Sequence, residues 1–163
     1  MVAEMKFSFT YPYILYSSAL AIKAKIMVEL GTGTGMSTEA LTEVAKITDG
    51  LLYSIDIAKC EETRNRLQNK HLVFLMGDSI EIGKQWDKGS IDFLFCDSDH
   101  SLERVYGELV TWEKYNPKII FVHDTLFADG NIAPPFKAIE KYVAERNKHF
   151  VNFELLHGLG IIF

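Results

Sequence analysis

The sequence has little cysteine, no long apolar run and no excess of positive charge. Its two cysteines, Cys60 and Cys96, do not form a Cys-x-x-Cys pair, which argues against a zinc site built on thiolates. Its apolar stretches are strand-sized, whereas a membrane-spanning helix needs about 20 apolar residues. The net charge is −5, and nucleic-acid-binding proteins usually carry a basic surface. We therefore expect neither a membrane protein nor one whose main partner is nucleic acid.

Internal repeats, low-complexity tracts and linkers are also missing from the 163 residues. A chain of this length suits one domain with one core. We predict a single domain over 1–163, with a helical, aromatic segment at 1–25 and the core at 26–163. The first residues make a poor signal peptide, because Glu4 stands where basic residues are needed. A cytoplasmic location is the resulting expectation.

Strand-like and helix-like segments alternate along the chain. Five apolar runs predict strands: Ile26–Leu30, Leu51–Ile57, Leu72–Met76, Ile91–Cys96 and Lys118–His123. Between them apolar residues recur at spacings of three and four, which is typical of helices. Such alternation predicts a parallel sheet with helices on both faces. The last two runs, Phe150–Leu156 and Gly160–Phe163, are so close together that only an antiparallel hairpin can join them.

A glycine-rich loop follows the first predicted strand and precedes a helix. It runs from Glu29 through Gly31, Gly33 and Gly35. Glycines there allow a tight turn and let a ligand approach the backbone closely, and the helix start offers free N–H groups. The dinucleotide fingerprint G-x-G-x-x-G/A fails in both registers, because its last small residue would be Met36 or Thr38.

An acid two places before three alternating glycines resembles the class I S-adenosylmethionine-dependent methyltransferases, over residues 26–163. This resemblance implies a Rossmann-like, doubly wound α/β fold with a mostly parallel seven-stranded sheet and an antiparallel C-terminal hairpin strand. It also implies S-adenosylmethionine as the cofactor, with Asp56 binding the ribose diol and Asp78 near the adenine amino group. Each of these acids taken alone can equally be a turn or cap residue. The implied cofactor-binding residues are Glu29, Gly31, Thr32, Gly33, Gly35, Ser37, Asp56, Ile57, Gly77, Asp78, Ser79 and Asp97.

Two acidic, histidine-containing motifs end the fourth and fifth predicted strands. Asp97 and Asp124 match metal ligands of catechol-type O-methyltransferases, although Thr125 stands where that family has Asn. The motifs 97–100 (Asp-Ser-Asp-His) and 123–125 (His-Asp-Thr) are also similar to those of cephalosporin hydroxylase-like proteins. The resemblance implies catalytic roles for Asp97, His100, His123 and Asp124, and binding of a divalent metal such as Mg²⁺ by Asp97 and Asp124. Without metal, His100 or His123 could serve as the general base.

The reaction expected from this resemblance is methyl transfer, most simply to an oxygen of a small-molecule acceptor. Two other functions stay open: a cofactor-binding protein without transfer activity, and an NAD(P) oxidoreductase. The chain has no room for a separate substrate domain, so either the site is open or a second subunit of a homodimer closes it. The N-terminal aromatic residues either line the acceptor site or pack in a core or dimer interface: Phe7, Phe9, Tyr11, Tyr13 and Tyr16.

Overall fold

A computed structural model describes residues 11–154 and 157–163. The described helices are α1 (Tyr11–Ala21), α2 (Met36–Thr48), α3 (Glu61–Leu67), α4 (Ser79–Lys84), α5 (Leu102–Trp112) and α6 (Pro134–Arg146), with a short 3-10 helix at Glu113–Tyr115. The described strands are β1 (Ile26–Leu30), β2 (Leu51–Asp56), β3 (Leu72–Met76), β4 (Phe93–Cys96), β5 (Ile119–His123), β6 (Phe150–Phe153) and β7 (Leu159–Ile162).

All seven described strands form one sheet in the order β3-β2-β1-β4-β5-β7-β6. The first five strands run parallel, and β7 lies antiparallel between β5 and β6. This confirms the predicted mostly parallel sheet with an antiparallel C-terminal hairpin. The part of the predicted hairpin at 155–156 and the aromatic residues Phe7 and Phe9 lie outside the described residues.

Five strands differ from their predicted limits. β5 begins at Ile119 rather than Lys118, β6 ends at Phe153 rather than Leu156, and β7 spans Leu159–Ile162 rather than Gly160–Phe163. The other two strands differ because a side chain binds backbone. The fourth strand begins at Phe93 rather than Ile91, since the Asp92 carboxylate accepts hydrogen bonds from the N–H groups of Lys25 and Ile26 at 2.8 and 3.0 Å. The second strand ends at Asp56 rather than Ile57, since the Asp56 carboxylate accepts the N–H of Ala58 at 2.8 Å and turns the chain.

Helices cover both faces of the sheet, as the alternation predicted. One face packs on α1 and α2, and its buried side chains include Leu15, Leu41, Met27, Phe95 and Phe121. The other face packs on α5 and α6, and its buried side chains include Val28, Leu94, Leu109, Trp112 and Tyr142. Because side chains alternate along a strand, neighbouring residues of the central strands enter opposite cores. A sheet buried on both faces needs near-continuous apolar strands, which is what the sequence has.

The carboxyl ends of the five parallel strands meet at one edge of the sheet, which is where ligands of open α/β sheets bind. Several features named from the sequence lie at or directly after these strand ends: the glycine loop, Asp56, Gly77, Asp97 and Asp124. Within 11–154 and 157–163, no helix combines the length and apolarity needed to span a bilayer.

Candidate active site

The glycine loop turns tightly over the end of β4. Gly31 has φ +97°, and a Cβ built on it would lie 2.0 Å from the carbonyl oxygen of Asp97. Its N–H donates to the carbonyl of Ile55 at 2.8 Å. Only glycine suits both this left-handed backbone and this close approach. The loop therefore packs directly on the backbone of the strand that carries the candidate catalytic residues.

Glu29 lies fully buried beneath this loop. Its Oε2 accepts hydrogen bonds from the hydroxyls of Thr38 at 2.7 Å and Ser54 at 2.5 Å. Because the Ser54 hydroxyl donates to Glu29, the Thr32 hydroxyl, 2.7 Å away, donates to Ser54. Burial raises the pKa of Glu29 to about 7, with the hydroxyls of Ser37, Ser54 and Thr38 opposing the rise. These contacts tie the loop and α2 to the sheet.

Asp56 faces the same loop from the end of β2. Its Oδ2 accepts the N–H groups of Thr32 at 2.9 Å and Gly33 at 3.2 Å, and its Oδ1 accepts that of Ala58. Partial burial favours the protonated acid, but these backbone hydrogen bonds outweigh it and lower the pKa of Asp56. The carboxylate is thus ionised and fixed in place, and a hydrogen bond from the Cys60 thiol, a weak donor, is its fourth contact.

A cavity of about 670 Å³ opens between the ends of β1 to β4, a size within the range of small-ligand sites. It is lined by Gly31, Gly33, Ile55, Asp56, Ile57, Gly77, Asp78, Ser79, Ile80, Asp97, Ser98, Asp99, Ser101, Glu103 and Arg104. Eight of the twelve predicted cofactor-binding residues are among them. The other four do not line the cavity: Glu29 lies on β1, Thr32 and Gly35 lie in the loop, and Ser37 lies on α2.

Asp78 caps a helix as well as lining the cavity. Its Oδ1 accepts the N–H groups of Ile80 at 2.9 Å and Glu81 at 3.0 Å at the start of α4, and its Oδ2 accepts Arg104 Nη1 at 2.7 Å. The hydrogen bond from Arg104 is the main cause of the lowered pKa of Asp78. The helix-cap interpretation is therefore confirmed, and the same side chain also lines the cavity.

The two acidic, histidine-containing motifs meet at the ends of β4 and β5. His100 Nε2 lies 3.0 Å from Asp124 Oδ2 and 3.7 Å from Asp97 Oδ1. His123 Nδ1 lies 3.2 Å from Asp97 Oδ1 and 3.4 Å from Asp124 Oδ1. The two carboxylates thus face two imidazoles, and the four predicted catalytic residues form a single cluster.

Hydrogen bonds to Asp124 and then Asp97 raise the pKa of His100 to about 10. His100 is therefore an imidazolium at neutral pH in this arrangement, so it cannot accept a proton there. Asp124 has φ +53°, a left-handed backbone that non-glycine residues seldom adopt and that concentrates at functional sites. Ligand atoms of Asp97, His100 and Asp124 all lie within 4.8 Å of one another, close enough to bind one metal ion.

Thr125 does not join this cluster. Its side chain is buried, and its hydroxyl donates to the side-chain oxygen of Asn152 on β6 at 2.7 Å. The hydroxyl at the position of the catechol-type Asn is thus engaged elsewhere, and the third side chain near Asp97 and Asp124 that could hold a metal ion is His100.

Tyr11, at the start of α1, covers the cluster from the side of α2. Its ring centroid lies 3.9 Å from that of His123 and 5.9 Å from that of Phe95. Its hydroxyl is hydrogen bonded to Ser37. Burial, followed by the nearby charge of Asp97, raises the pKa of this phenol well above its ordinary value, so the hydroxyl stays protonated. An aromatic residue named from the sequence thus contacts the site.

One known protein family matches the larger part of this chain. Residues 28–132 match the family described as a methyltransferase domain. That is more than half of the 163 residues, and the chain belongs to this family. No curated protein matches the chain.

Solved structures with the same fold include several methyltransferases. An O-methyltransferase from Bacillus cereus in complex with SAH has a TM-score of 0.75 at 15% identity, over 98% of this chain and 82% of that one. The O-methyltransferase TomG from Streptomyces achromogenes in complex with SAM has a TM-score of 0.76 at 15% identity, over 99% and 82%. An SAH-bound methyltransferase from Podospora anserina has a TM-score of 0.71 at 18% identity, over 93% and 76%. At these identities the likeness shows the fold, which is that of the class I S-adenosylmethionine-dependent methyltransferases.

Proposed function

We propose that the protein transfers the methyl group of S-adenosylmethionine to an oxygen of a small-molecule acceptor. The observation that carries this proposal is the position of Asp97, which lines the cavity and also belongs to the cluster with His100, His123 and Asp124. Cofactor and acceptor bound on either side of one carboxylate would be held next to each other. The O-methyltransferases from Bacillus cereus and Streptomyces achromogenes that share the fold support oxygen as the target.

The cavity offers a group for each part of the cofactor. A ribose hydroxyl, which is a stronger donor than a thiol, would take the place of Cys60 on the Asp56 carboxylate. The apolar side chains of Ile57 and Ile80 offer walls for a purine ring, and Ile57 is 77% exposed, so its side chain is free to cover a ligand. Gly31 and Gly33 have no side chain to keep a ligand from the loop backbone.

The chemistry asks the protein to align two reactants and to remove one proton. S-adenosylmethionine supplies a methyl group: the C–O bond to the acceptor forms as the C–S bond breaks, with its electron pair staying on sulfur. The hydroxyl proton of the acceptor leaves to a base or to water. Holding both reactants in line provides most of the acceleration. Asp97 and Asp124 would stabilise the positive charge of a divalent cation, and this charge would assist loss of the hydroxyl proton.

We further propose that Asp97, Asp124 and His100 bind a divalent cation such as Mg²⁺. Two hard carboxylate ligands and one imidazole lie close enough to share an ion, and such an ion would lower the pKa of an acceptor hydroxyl. His100 must lose its proton to ligate, so cation binding is expected to release one proton. In the absence of a cation, the imidazolium occupies the space between the carboxylates.

Isothermal titration with S-adenosylhomocysteine tests the cofactor assignment. We expect saturable binding by wild type, and at least about tenfold weaker binding by Asp56→Asn, because an amide cannot replace an ionised acceptor. Asp99→Asn, in the same cavity wall, is the charge-matched control and should bind as wild type. Absence of binding by folded wild-type protein would overturn the proposal.

A second titration, with Mg²⁺ or Mn²⁺ in buffers of different ionisation enthalpy, tests the cation site. Wild type should bind one ion and release a proton, and Asp124→Asn should lose the binding while keeping its affinity for S-adenosylhomocysteine. Binding that survives in Asp124→Asn would contradict this ligand set. Where the cofactor binds but no hydroxyl-containing acceptor in a screen is methylated, a binding role without transfer replaces the proposed reaction.

A further inference from the structure

The cation site proposed at the ends of β4 and β5 has a mixed set of candidate ligands. Two of them are the carboxylates of Asp97 and Asp124, and the third is the imidazole of His100. Its Nε2 lies 3.0 Å from Asp124 Oδ2 and 3.7 Å from Asp97 Oδ1. Two ligand atoms at right angles around an ion, each about 2.1 Å from it, are roughly 3.0 Å apart. The imidazole nitrogen is therefore close to the distance that a third ligand has from both carboxylates.

Two side-chain oxygens near these motifs are bound to other groups. The buried Thr125 hydroxyl donates to the side-chain oxygen of Asn152 at 2.7 Å. The Asp99 carboxylate accepts the N–H of Ser101 at 2.8 Å, and Asp99 lines the cavity. Neither Thr125 nor Asp99 belongs to the group of side chains that are close enough to share an ion. A nitrogen thus stands where a site made of oxygen alone would need a third carboxylate, amide or hydroxyl.

His123 contacts both carboxylates from a second position. Its Nδ1 lies 3.2 Å from Asp97 Oδ1 and 3.4 Å from Asp124 Oδ1, whereas the other Asp124 oxygen faces His100. The His123 side chain is 10% exposed, against 50% for His100, and its ring packs on that of Tyr11. Contacts of this kind orient the ligands of metal sites. The two histidines therefore differ in role: His123 orients the carboxylates, and His100 is the imidazole that a cation from solvent reaches.

The preference of a site among cations follows from the chemistry of its ligand atoms. Mg²⁺ prefers oxygen, from carboxylates and water, whereas imidazole suits the later first-row transition ions. Resting on the proposed function and its cation site, we infer that His100 is the residue that makes this site select Co²⁺, Ni²⁺ or Zn²⁺ over Mg²⁺. Replacing the imidazole by an oxygen ligand should remove most of this preference and keep the binding of Mg²⁺.

Three substitutions of histidine by glutamine separate the ligand from its surroundings. His100→Gln offers an amide oxygen in place of the ring nitrogen, and half of the His100 side chain is exposed, so this variant is expected to fold. His123→Gln removes the orienting contact and should weaken the binding of all ions by similar factors. His149→Gln, before the start of β6 and remote from the cluster, is the matched control.

The measurement is the ratio of the dissociation constants for Mg²⁺ and Co²⁺, by isothermal titration of each folded variant at one pH. Because protons compete with every ion for this imidazole, their effect is shared by both constants and does not create the preference. We expect wild type and His149→Gln to bind Co²⁺ at least about a hundredfold more tightly than Mg²⁺. His100→Gln should lower this ratio by at least about tenfold.

Pulsed electron paramagnetic resonance of bound Mn²⁺ gives a direct signature of a nitrogen ligand. Wild type should show the modulation of a directly bound imidazole nitrogen, and His100→Gln should lose it while still binding Mn²⁺. Modulation that persists in His100→Gln would assign the nitrogen to another histidine and overturn the inference. A merely structural role of His100 would weaken all ions equally and leave the ratio unchanged.

Two further results would overturn the inference: a ratio in His100→Gln equal to that of wild type, or no nitrogen modulation in wild type. Binding of neither Co²⁺ nor Mg²⁺ by folded wild type would overturn it together with the proposed cation site. Titration with S-adenosylhomocysteine tests the cofactor assignment separately. Wild type that binds this ligand but no cation would therefore retain the proposed methyl transfer and lose only the cation site and its preference.

Discussion

On the β1–β3 side of the sheet edge the carboxylates bind backbone N–H groups, whereas on the β4–β5 side they bind imidazoles. Asp56 and Asp78 each accept two or more hydrogen bonds from main-chain N–H groups, and both have lowered pKa values. Asp97 and Asp124 instead face His100 and His123. Main-chain partners cannot change protonation in water, but imidazoles can.

The difference suits two different tasks. Cofactor binding needs groups with constant charge and geometry, which backbone hydrogen bonds supply. The proposed chemical step needs groups that can exchange a proton or ligate a cation, and carboxylates and imidazoles are able to do both. The sheet edge thus has two adjacent regions. At β1–β3 its carboxylates are held by backbone N–H groups, and at β4–β5 its carboxylates are held by imidazoles.

Gly31, where the two regions touch, should give the largest effect. We expect Gly31→Ala to lower the free energy of unfolding by about 4 kcal/mol and to abolish binding of S-adenosylhomocysteine, because the added Cβ would collide with the Asp97 carbonyl. Urea denaturation and titration measure these effects. Gly33→Ala is the control: φ is +48° but no atom lies within 4 Å of its Cβ, so the cost should be about 1 kcal/mol. Equal costs for both variants would refute the close packing of the two regions.

Glu29 should give the next largest effect, because it is the one acid beneath the loop whose pKa is raised, to about 7 from 4.5. A raised folded-state pKa stabilises the protein below pH 4.5, and this stabilisation is lost as pH rises through about 7. Wild type should therefore lose roughly 3 kcal/mol relative to Glu29→Gln between pH 4.5 and 8. Urea denaturation of both proteins at several pH values tests this; parallel profiles would contradict it.

His100 should give the smallest effect on stability. Its pKa is raised to about 10 from 6.5, so its charge stabilises the fold below pH 6.5 and ceases to do so as pH rises through about 10. The side chain is 50% exposed, and solvent screening limits the contribution to about 1 kcal/mol or less. His100→Gln should therefore be slightly less stable than wild type at pH 6 and equal to it above pH 10. His149→Gln, at the opposite edge of the sheet, is the control for loss of a histidine.

Local pattern was enough to predict most of the fold. Apolar runs and helical spacings predicted the five parallel strands, the helices between them and the hairpin. The limits of α4 were not predicted, because its six residues are too short for a periodic pattern. The true start of β4 was missed because it depends on Asp92 binding the backbone of a strand far away in sequence.

The sequence predicted the site residues that lie at strand ends. It did not predict those whose position depends on contacts between elements distant in sequence. The loop, Asp56, Asp78 and the cluster at Asp97 and Asp124 all sit at strand ends, so sequence order placed them together. Arg104, its buried ion-pair partner Glu108 and the contact of Tyr11 with His123 depend on tertiary contacts. One signal for Glu108 was present: its spacing from Val105 and Trp112 puts an acid on the buried face of α5.

The shared position of Asp97 has a thermodynamic consequence. If the cavity ligand changes the affinity of the cluster for a cation by some factor, the cation changes the affinity for the cavity ligand by that same factor, because coupling free energy is reciprocal. Affinities measured for either ligand alone therefore describe only two sides of a four-state cycle. The sign of that coupling decides whether binding of one ligand strengthens or weakens binding of the other.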